Sequence, residues 1–296
     1  IKAQVTIMYG CNNFCSYCVV PYVRGREKSR PIEDIRKEVE QLVAEGVKEI
    51  TLLGQNVNSY GRDLYGNPRF DEVLRLVGDS GVKRLRFATS HPKDLSDATI
   101  AAFAEVDAVM PQLHLPVQSG SNRILAAMNR NYTVEHYLDL IGKVRAAAGD
   151  VAFSTDIIVG FPGETEADFE ATMELVRQVG YSQAFTFIYS RRQGTPAASM
   201  IDETPHELIQ ERFDRLVGLV QHSAKEQNQK DLDRVIPVLF EGSSKRDLQI
   251  LTGKSPKNQT IHVPLPSGNQ VTDYAGALME VKIEEARTWY LRGSLM

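Results

Sequence analysis

The sequence predicts an α/β protein in which a parallel sheet with helical crossovers is followed by a small antiparallel β-barrel. Over the first 190 residues, short apolar or β-branched runs alternate with longer amphipathic runs, a pattern typical of repeated βα units. From residue 235 onward, short strand-like runs are separated by Gly, Ser, Asn and Pro. That second pattern predicts a compact antiparallel barrel.

Six strands of the parallel part are bounded by Gly, Pro or polar residues: Val5–Tyr9, Glu49–Leu53, Arg84–Thr89, Gln112–Leu115, Ala152–Val159 and Ala184–Tyr189. Amphipathic helices are predicted between them: Ile32–Glu45, Phe70–Val77, Asp97–Ala104, Ser121–Met128, Val134–Ala147 and Glu166–Val179. This alternation predicts parallel strands with right-handed crossovers. Periodicity leaves two architectures open, a doubly wound plate and an incomplete barrel.

A long amphipathic helix over Pro205–Lys230 precedes the change of pattern. We therefore predict a domain boundary near Lys230, with domains at residues 1–230 and 231–296. The barrel strands are predicted at residues 235–240, 248–252, 260–263, 277–283 and 290–293, and Trp289 is predicted to lie in the barrel core.

The three cysteines of the chain, Cys11, Cys15 and Cys18, stand in a C-x3-C-x2-C spacing directly after the first strand. Iron–sulfur clusters usually take four protein ligands, so three thiolates predict a cluster with one iron open to another ligand. The alternative is a structural zinc ion with His91 or His114 as fourth ligand, although zinc sites usually show two separated ligand pairs.

Composition excludes several classes of protein. The net charge of −4 argues against a surface coated in basic patches for nucleic acid, while leaving room for a local patch. No run approaches the roughly 20 apolar residues that span a bilayer, and the first residues open a strand rather than a secretory leader. Thiols crowded in one loop suit a reducing compartment, so we expect a cytoplasmic protein without membrane contact.

Polar side chains follow the predicted strands at their carboxyl ends, where a parallel barrel places its active site. The loops concerned are 54–58, 90–92, 116–121, 160–164 and 190–192. Ordinary turn chemistry explains part of this enrichment. Thr165 and Asp168 also predict a capping box, and His91 and His114 are either acid–base groups or structural histidines.

The cysteine loop, with Tyr17 before the last cysteine, resembles the CxxxCxΦC loop of the radical S-adenosylmethionine (SAM) superfamily. The resemblance implies a (β/α)6 partial barrel and a 4Fe-4S cluster whose open iron chelates SAM and cleaves it to a 5′-deoxyadenosyl radical. It implies the following cofactor-binding residues: Tyr17, Gln55, Asn56, Ser90, Gln118, Ser119, Ile158 and Gly160. Gly54-Gln55-Asn56 departs from the superfamily's GGE motif because it lacks the acidic residue.

Six collinear segments resemble the tRNA-modifying methylthiotransferases of that superfamily: CNNFCSYCVVPYVRGREKSRP, EITLLGQNVNSYG, RFATSHP, LHLPVQSGSNRIL, DIIVGFPGET and GTPAASM. This resemblance implies methylthiolation at carbon 2 of N6-isopentenyladenosine next to the anticodon. It also implies a TRAM-like RNA-binding barrel, an electron donor of the flavodoxin or ferredoxin type, and an auxiliary 4Fe-4S cluster held by an N-terminal domain of a longer chain. We expect this chain to lack that domain and to hold one cluster.

Two alternatives stay open. A related methylthiotransferase would act on threonylcarbamoyladenosine in tRNA or on a ribosomal protein, and a non-catalytic RNA-binding protein would use the cysteines for a structural metal. For a tRNA anticodon stem-loop, the predicted contacts are basic: Arg24, Arg26, Lys28, Arg30, Arg191, Arg192, Lys245 and Arg246, with Lys254, Lys257, Trp289 and Tyr290 as further candidates in the barrel. A solvated loop is the alternative interpretation of the first four. No catalytic acid or base is assigned.

Overall fold

The computed structural model describes all residues from 1 to 296. The strands are β1 (Lys2–Thr6), β2 (Met8–Tyr9), β3 (Lys28–Ser29), β4 (Glu49–Leu53), β5 (Arg84–Phe87), β6 (Gln112–His114), β7 (Ala152–Val159), β8 (Gln183–Ile188), β9 (Val235–Ser243), β10 (Ile250–Lys254), β11 (Thr260–Pro264), β12 (Leu278–Ala286) and β13 (Leu291–Leu295). The α-helices are α1 (Val20–Arg24), α2 (Ile32–Ala44), α3 (Arg62–Tyr65), α4 (Phe70–Gly78), α5 (Asp97–Glu105), α6 (Asn122–Ala127), α7 (Val134–Ala148), α8 (Glu166–Val179) and α9 (His206–Gln229).

Six parallel strands follow one another in chain order around a polar lumen. β1, β4 and β5 form one three-stranded sheet, and β6, β7 and β8 form another. A parallel bridge between Leu85 and Val109 joins the two halves. A doubly wound plate reverses its strand order at a switch point, whereas this order never reverses, so the structure selects the incomplete barrel. The predicted α/β alternation is confirmed.

The predicted first strand, Val5–Tyr9, is wrong in one respect. The chain leaves the parallel sheet after Thr6, and Met8 and Tyr9 pair antiparallel with Ser29 and Lys28. The run is apolar or β-branched throughout, so periodicity did not reveal where its pairing partner changes. The resulting hairpin carries the cysteine loop away from the sheet.

Helix starts near the carboxyl ends of the strands are fixed by side-chain caps. The predicted capping box is present, because Thr165 and Asp168 each accept a hydrogen bond from the other's backbone N–H. Ser121 caps α6 and also donates to Asp168 Oδ1 over 2.6 Å. The outer helices bury a core of 41 residues against the sheet. No helix in the structure is both long enough and apolar enough to cross a membrane.

The last five strands close into a barrel in the order β10-β11-β13-β12-β9. β11 and β13 are parallel, which corrects the expectation of a wholly antiparallel barrel. Strand directions cannot alternate around a closed ring of five, so one pair must be parallel. The prediction that Trp289 lies in the core is wrong, since its ring is exposed in the turn after β12. α9 ends and β9 begins beside the predicted boundary at Lys230, while the division into two domains stays a prediction.

The small barrel docks on the amino-terminal ends of the parallel strands, opposite the cysteine loop. Arg84, at the start of β5, donates to the carbonyls of Lys254 and Pro237 over 2.6 and 2.8 Å. Arg86 donates to the carbonyls of Ser255 and Pro256, each over 2.9 Å. Burying two guanidinium groups is tolerated here because their N–H groups have acceptors.

We predict that replacing Gly120 with Ala destabilises the folded protein. A Cβ at Gly120 would lie 2.5 Å from the Ala171 carbonyl oxygen in α8, so Gly120→Ala should lower the free energy of unfolding by about 1–3 kcal/mol. Gly142→Ala is the matched control, because Gly142 lies in α7 with open space around it. That variant should be more stable by about 0.5–1 kcal/mol. Urea unfolding measures both, and equal effects in the two variants would contradict the packing described for α8.

Candidate active site

The cysteine loop is held by the carboxyl end of α6. The Ser16 amide donates to the Met128 carbonyl over 2.9 Å, and the Ser16 hydroxyl donates to the Ala127 carbonyl over 2.8 Å. The Asn129 side-chain amide donates to the Phe14 carbonyl over 2.9 Å. These bonds fix the backbone between the first and last cysteine without using a thiol, so the sulfur atoms remain available as ligands.

A buried arginine faces the middle cysteine. Arg130 Nη1 lies 3.5 Å from Cys15 Sγ, while Nη2 donates to the Pro116 carbonyl over 2.7 Å. No carboxylate pairs with this buried cation, so Cys15 is its candidate anionic partner. The contact places a fixed positive charge beside the sulfur atom of the middle cysteine.

The other two thiols are half-buried. Burial raises the pKa of Cys11 and of Cys18, and backbone N–H groups of Asn13 and Val20 act in the opposite direction. A raised thiol pKa means that a positive centre must supply the driving force for deprotonation, as a bound metal does. The donor set therefore fits an iron–sulfur cluster ligated by three thiolates.

The structure gives the zinc alternative no support. No group of three or more His, Cys, Asp or Glu side chains, the three cysteines included, surrounds a position for one metal ion. Cysteines that hold a 4Fe-4S cluster each bind a different iron, so they need not surround one position. His114 lies in the lumen, with Nδ1 3.0 Å from Ser154 Oγ. His91 Nδ1 accepts from the Lys93 amide over 3.2 Å.

A row of buried polar atoms without hydrogen-bond partners lines the carboxyl ends of β4, β5 and β8. Six such atoms lie in the loops directly after these strands: Gln55 Oε1, Asn56 Oδ1, Asn58 Nδ2, Ser90 Oγ, His91 Nε2 and Tyr189 Oη. Buried polar groups are nearly always paired in folded proteins. We call these six atoms the unpaired rim, and their concentration at one end of the barrel indicates a ligand site.

Hydrogen bonds to neighbouring groups fix the orientation of three side chains of the unpaired rim. Asn56 donates through Nδ2 to Asp94 over 2.7 Å, which leaves its oxygen unpaired. Asn58 accepts the His91 amide over 2.9 Å through its oxygen, which leaves its NH2 group unpaired. Because His91 Nδ1 accepts a hydrogen bond, neutral His91 carries its proton on Nε2. The rim thus presents both donors and acceptors at fixed positions.

Contacts through Tyr132 join the rim to the cysteines. The His91 and Tyr132 rings pack edge to face, with centroids 5.7 Å apart. Arg130 Nε donates to the Tyr132 hydroxyl over 2.9 Å and its Nη1 reaches Cys15. Lys93 also donates to the Asn13 side-chain oxygen in the cysteine loop. The rim and the thiols therefore belong to one site.

The remaining predicted cofactor residues lie near β7 and the cysteine loop. Tyr17 and Ile158 each pack against a small apolar cluster that includes Phe161. Gln118 is buried with a φ of +74°, and Ser119 Oγ accepts the Ser121 amide over 3.2 Å. The Gly160 amide donates to Glu164 over 2.8 Å. Ser119 and Gly160 thus have structural contacts, and their roles toward a cofactor stay predictions.

The predicted substrate-binding residues occupy three separate places. Arg24, Arg26 and Lys28 are exposed beside the cysteine loop, with Arg26 4.5 Å from the centre of the Phe14 ring. Arg30 pairs with Glu38 over 2.6 Å, and its role toward RNA stays a prediction. The other exposed pairs follow β8 and β9: Arg191 with Arg192, and Lys245 with Arg246.

Sequence reasoning assigned no role to Arg130 or Asn58. Arg130 lies between two helices rather than after a strand, so no positional signal marked it. Lys257 was named as an RNA contact, but it pairs with Asp150 over 2.6 Å and Asp231 over 3.3 Å where the small barrel docks. That ion pair gives Lys257 a structural role.

Comparison with known proteins identifies relatives across the whole chain. The family model of the radical SAM superfamily matches residues 5–176. The tRNA-2-methylthio-N(6)-dimethylallyladenosine synthase of Carboxydothermus hydrogenoformans is 52% identical over 297 residues, covering 100% of this chain and 66% of the relative. The synthase of the same name from Clostridium tetani is 51% identical, covering 99% and 64%. The chain thus spans just under two thirds of these relatives, and the resemblance predicted from its motifs is confirmed.

Solved structures support the fold alone. The radical SAM methyltransferase TsrM from Kitasatospora setae aligns with a TM-score of 0.55 at 17% identity, covering 66% of this chain and 38% of that one. Coproporphyrinogen III oxidase (HemN) from Escherichia coli aligns with a TM-score of 0.52 at 11% identity, covering 95% and 66%.

We predict that His91 makes stability depend on pH. Burial lowers the pKa of His91 to about 2, and the nearby charges of Arg130 and Lys93 act in the same direction. An unfolded histidine titrates near pH 6.5. Since only the unfolded chain takes up this proton, the free energy of unfolding should fall by about 2 kcal/mol between pH 6.5 and pH 5.

His91→Asn should remove that component, because Asn can still accept the Lys93 amide but does not titrate. Urea unfolding of both proteins at about pH 7.5 and pH 5 measures the difference. The same pH dependence in both proteins would show that His91 is not held neutral.

Proposed function

The chain belongs to the radical SAM superfamily, and from that membership we propose that it is the radical and RNA-binding part of a tRNA methylthiotransferase. The proposed reaction adds a methylthio group at carbon 2 of N6-isopentenyladenosine next to the anticodon. The proposal rests mainly on the contacts that join the cysteine loop to the unpaired rim. The names of the relatives support the tRNA substrate.

In this proposal Cys11, Cys15 and Cys18 hold the 4Fe-4S cluster, and the rim holds polar groups of SAM. When bound, the cluster supplies the one-electron chemistry that converts SAM into a hydrogen-abstracting species. Arg130 places a fixed positive charge at Cys15. Neutral His91 offers one N–H through Nε2, and the Asn56 and Asn58 side chains are held in single orientations by their other partners.

RNA contacts and protein partners extend the proposal. Arg24, Arg26 and Lys28 lie at the cysteine end, where they are suited to phosphate oxygens. Lys245 and Arg246 offer a second set on the small barrel, which we propose is a TRAM-like RNA-binding module. An electron donor of the flavodoxin or ferredoxin type, and an auxiliary cluster in a longer chain, complete the proposed reaction in the cytoplasm. No observation favours threonylcarbamoyladenosine or a ribosomal protein as substrate.

Nucleoside analysis tests this function. Cells that lack the gene for this chain should accumulate N6-isopentenyladenosine in tRNA and lose its 2-methylthio derivative, as measured by mass spectrometry. A gene carrying Cys15→Ala should fail to restore the derivative, because the cluster loses a ligand. Val23→Ala is the matched control just after the same loop and should restore it, since the Val23 side chain is 68% exposed.

The purified proteins separate the metal from the substrate. Reconstituted without air, the wild-type protein should bind about four iron atoms per chain, and Cys15→Ala should bind far less. Stoichiometric zinc without iron absorbance would contradict the cluster. If cells that lack the gene instead lose the methylthio group of threonylcarbamoyladenosine, the proposed reaction type would stand and the proposed substrate would be wrong.

A further inference from the structure

Two aromatic side chains are exposed on the lumen-facing side of β8, the last strand of the incomplete barrel. β8 pairs only with β7, so its other edge faces the gap in the ring of strands. Phe185 and Phe187 project from the same face of β8 and are 45% and 51% exposed. Phe185 lines the lumen, a cavity of about 530 Å³, and packs edge to face on His114 at 5.9 Å. Neither ring contributes to the core.

A third exposed ring continues this surface toward the small barrel. Trp289, the single tryptophan of the chain, is 58% exposed in the turn between β12 and β13. It lines a groove of about 120 Å³ between the small barrel and the strands. The groove and the lumen are adjacent, because four residues line both: Gln112, Ser154, Gln183 and Asn258.

Cations without carboxylate partners flank the three rings. Lys254 lies in the groove beside Trp289, and its ammonium group donates to Thr260 Oγ1 over 2.9 Å and reaches the Asn258 carbonyl at 3.4 Å. Arg191 and Arg192 follow β8 at the other end and are exposed, and the nearest polar contact of Arg191 is the Met200 carbonyl at 3.2 Å. The surface therefore combines exposed aromatic rings with positive charge at both ends.

We propose that Trp289, Phe185 and Phe187 form a stacking track for unpaired nucleotides. The track leads RNA from the small barrel along β8 to the cysteine end, and the inference rests on the proposed function because that function supplies the RNA. Aromatic rings bind bases of any sequence by stacking, and neighbouring Lys and Arg bind the phosphates. The eight residues of β7 span roughly 26 Å between the two ends of the barrel. The small barrel and the thiols lie at opposite ends of the parallel strands. RNA that is held by the small barrel must therefore cross this distance to reach the cysteine end, and the track would guide it.

A protein strand paired to the edge of β8 is the other occupant of such a surface. Strand addition would use the backbone of β8, but it would leave unexplained the exposed Trp289, which lies off the strand, and the cations beyond both ends. The charge and the position of Trp289 therefore favour RNA.

Trp289 fluorescence tests the track directly, because no other tryptophan contributes to the signal. A fluorescein-labelled anticodon stem-loop RNA is titrated into the purified chain, and anisotropy gives its dissociation constant. Trp289 emission should be quenched over the same RNA concentrations. The double variant Phe185→Ala/Phe187→Ala should bind the RNA at least about tenfold more weakly. Both rings are half-exposed, so circular dichroism should show a folded protein.

Leu278→Ala is the matched control. Leu278 is 50% exposed on the small barrel, but it lies beside Lys48 and Arg84 rather than beside β8. Its removal should leave RNA affinity and Trp289 quenching unchanged.

The outcomes separate this inference from the proposed function. The track would be contradicted if the double variant binds RNA as tightly as the wild type and RNA does not quench Trp289. The proposed tRNA substrate would then still stand. Absence of RNA binding by the wild-type chain would overturn both. A dimer that light scattering detects in the wild-type protein, and that the double variant abolishes, would assign the surface to a second copy and overturn the track.

Discussion

Unpaired buried polar atoms at one end of the parallel barrel are the constraint on which the rest of the structure depends. Each such atom costs about 1–3 kcal/mol relative to a paired one. The cost is offset by the core of 41 buried residues under the outer helices, which holds the strand ends in place without help from the site. A ligand that pairs with the rim removes this cost, so the same feature that destabilises the folded chain provides its binding energy.

The two ends of the parallel barrel also differ in how a buried arginine is paired. At the cysteine end, Arg130 is buried without a carboxylate partner, and its polar contacts are Cys15, Tyr132 and the Pro116 carbonyl. At the opposite end, Arg86 is buried beside Glu49 at 3.1 Å and its remaining N–H groups bond carbonyls of the small barrel. One arginine thus contacts a thiol at the cysteine end, and the other contacts the small barrel at the opposite end.

Sequence alone predicted most of the fold and part of the site. The bounds of β4, β7 and α8 were predicted without error because each is a strongly patterned run with a clear stop. The β2–β3 hairpin was missed because the pattern of residues 5–9 does not show which strand each residue pairs with. The spacing of the cysteines singled out their loop, and their role as cluster ligands stays a prediction. Arg130 was missed because its importance comes from a contact with Cys15, 115 positions away along the chain, and the exposure of Trp289 was missed because a turn residue has no periodic pattern.

The most direct test of the account is a crystal structure of the anaerobically reconstituted protein with SAM bound. We expect a 4Fe-4S cluster on the three cysteines, with SAM at the carboxyl ends of β4 and β5. Asn58 Nδ2 and His91 Nε2 should then lie within hydrogen-bond distance of the ligand, at about 3 Å. A structure in which SAM binds elsewhere, such as the lumen near His114, while these two atoms stay unpaired, would contradict the central claim.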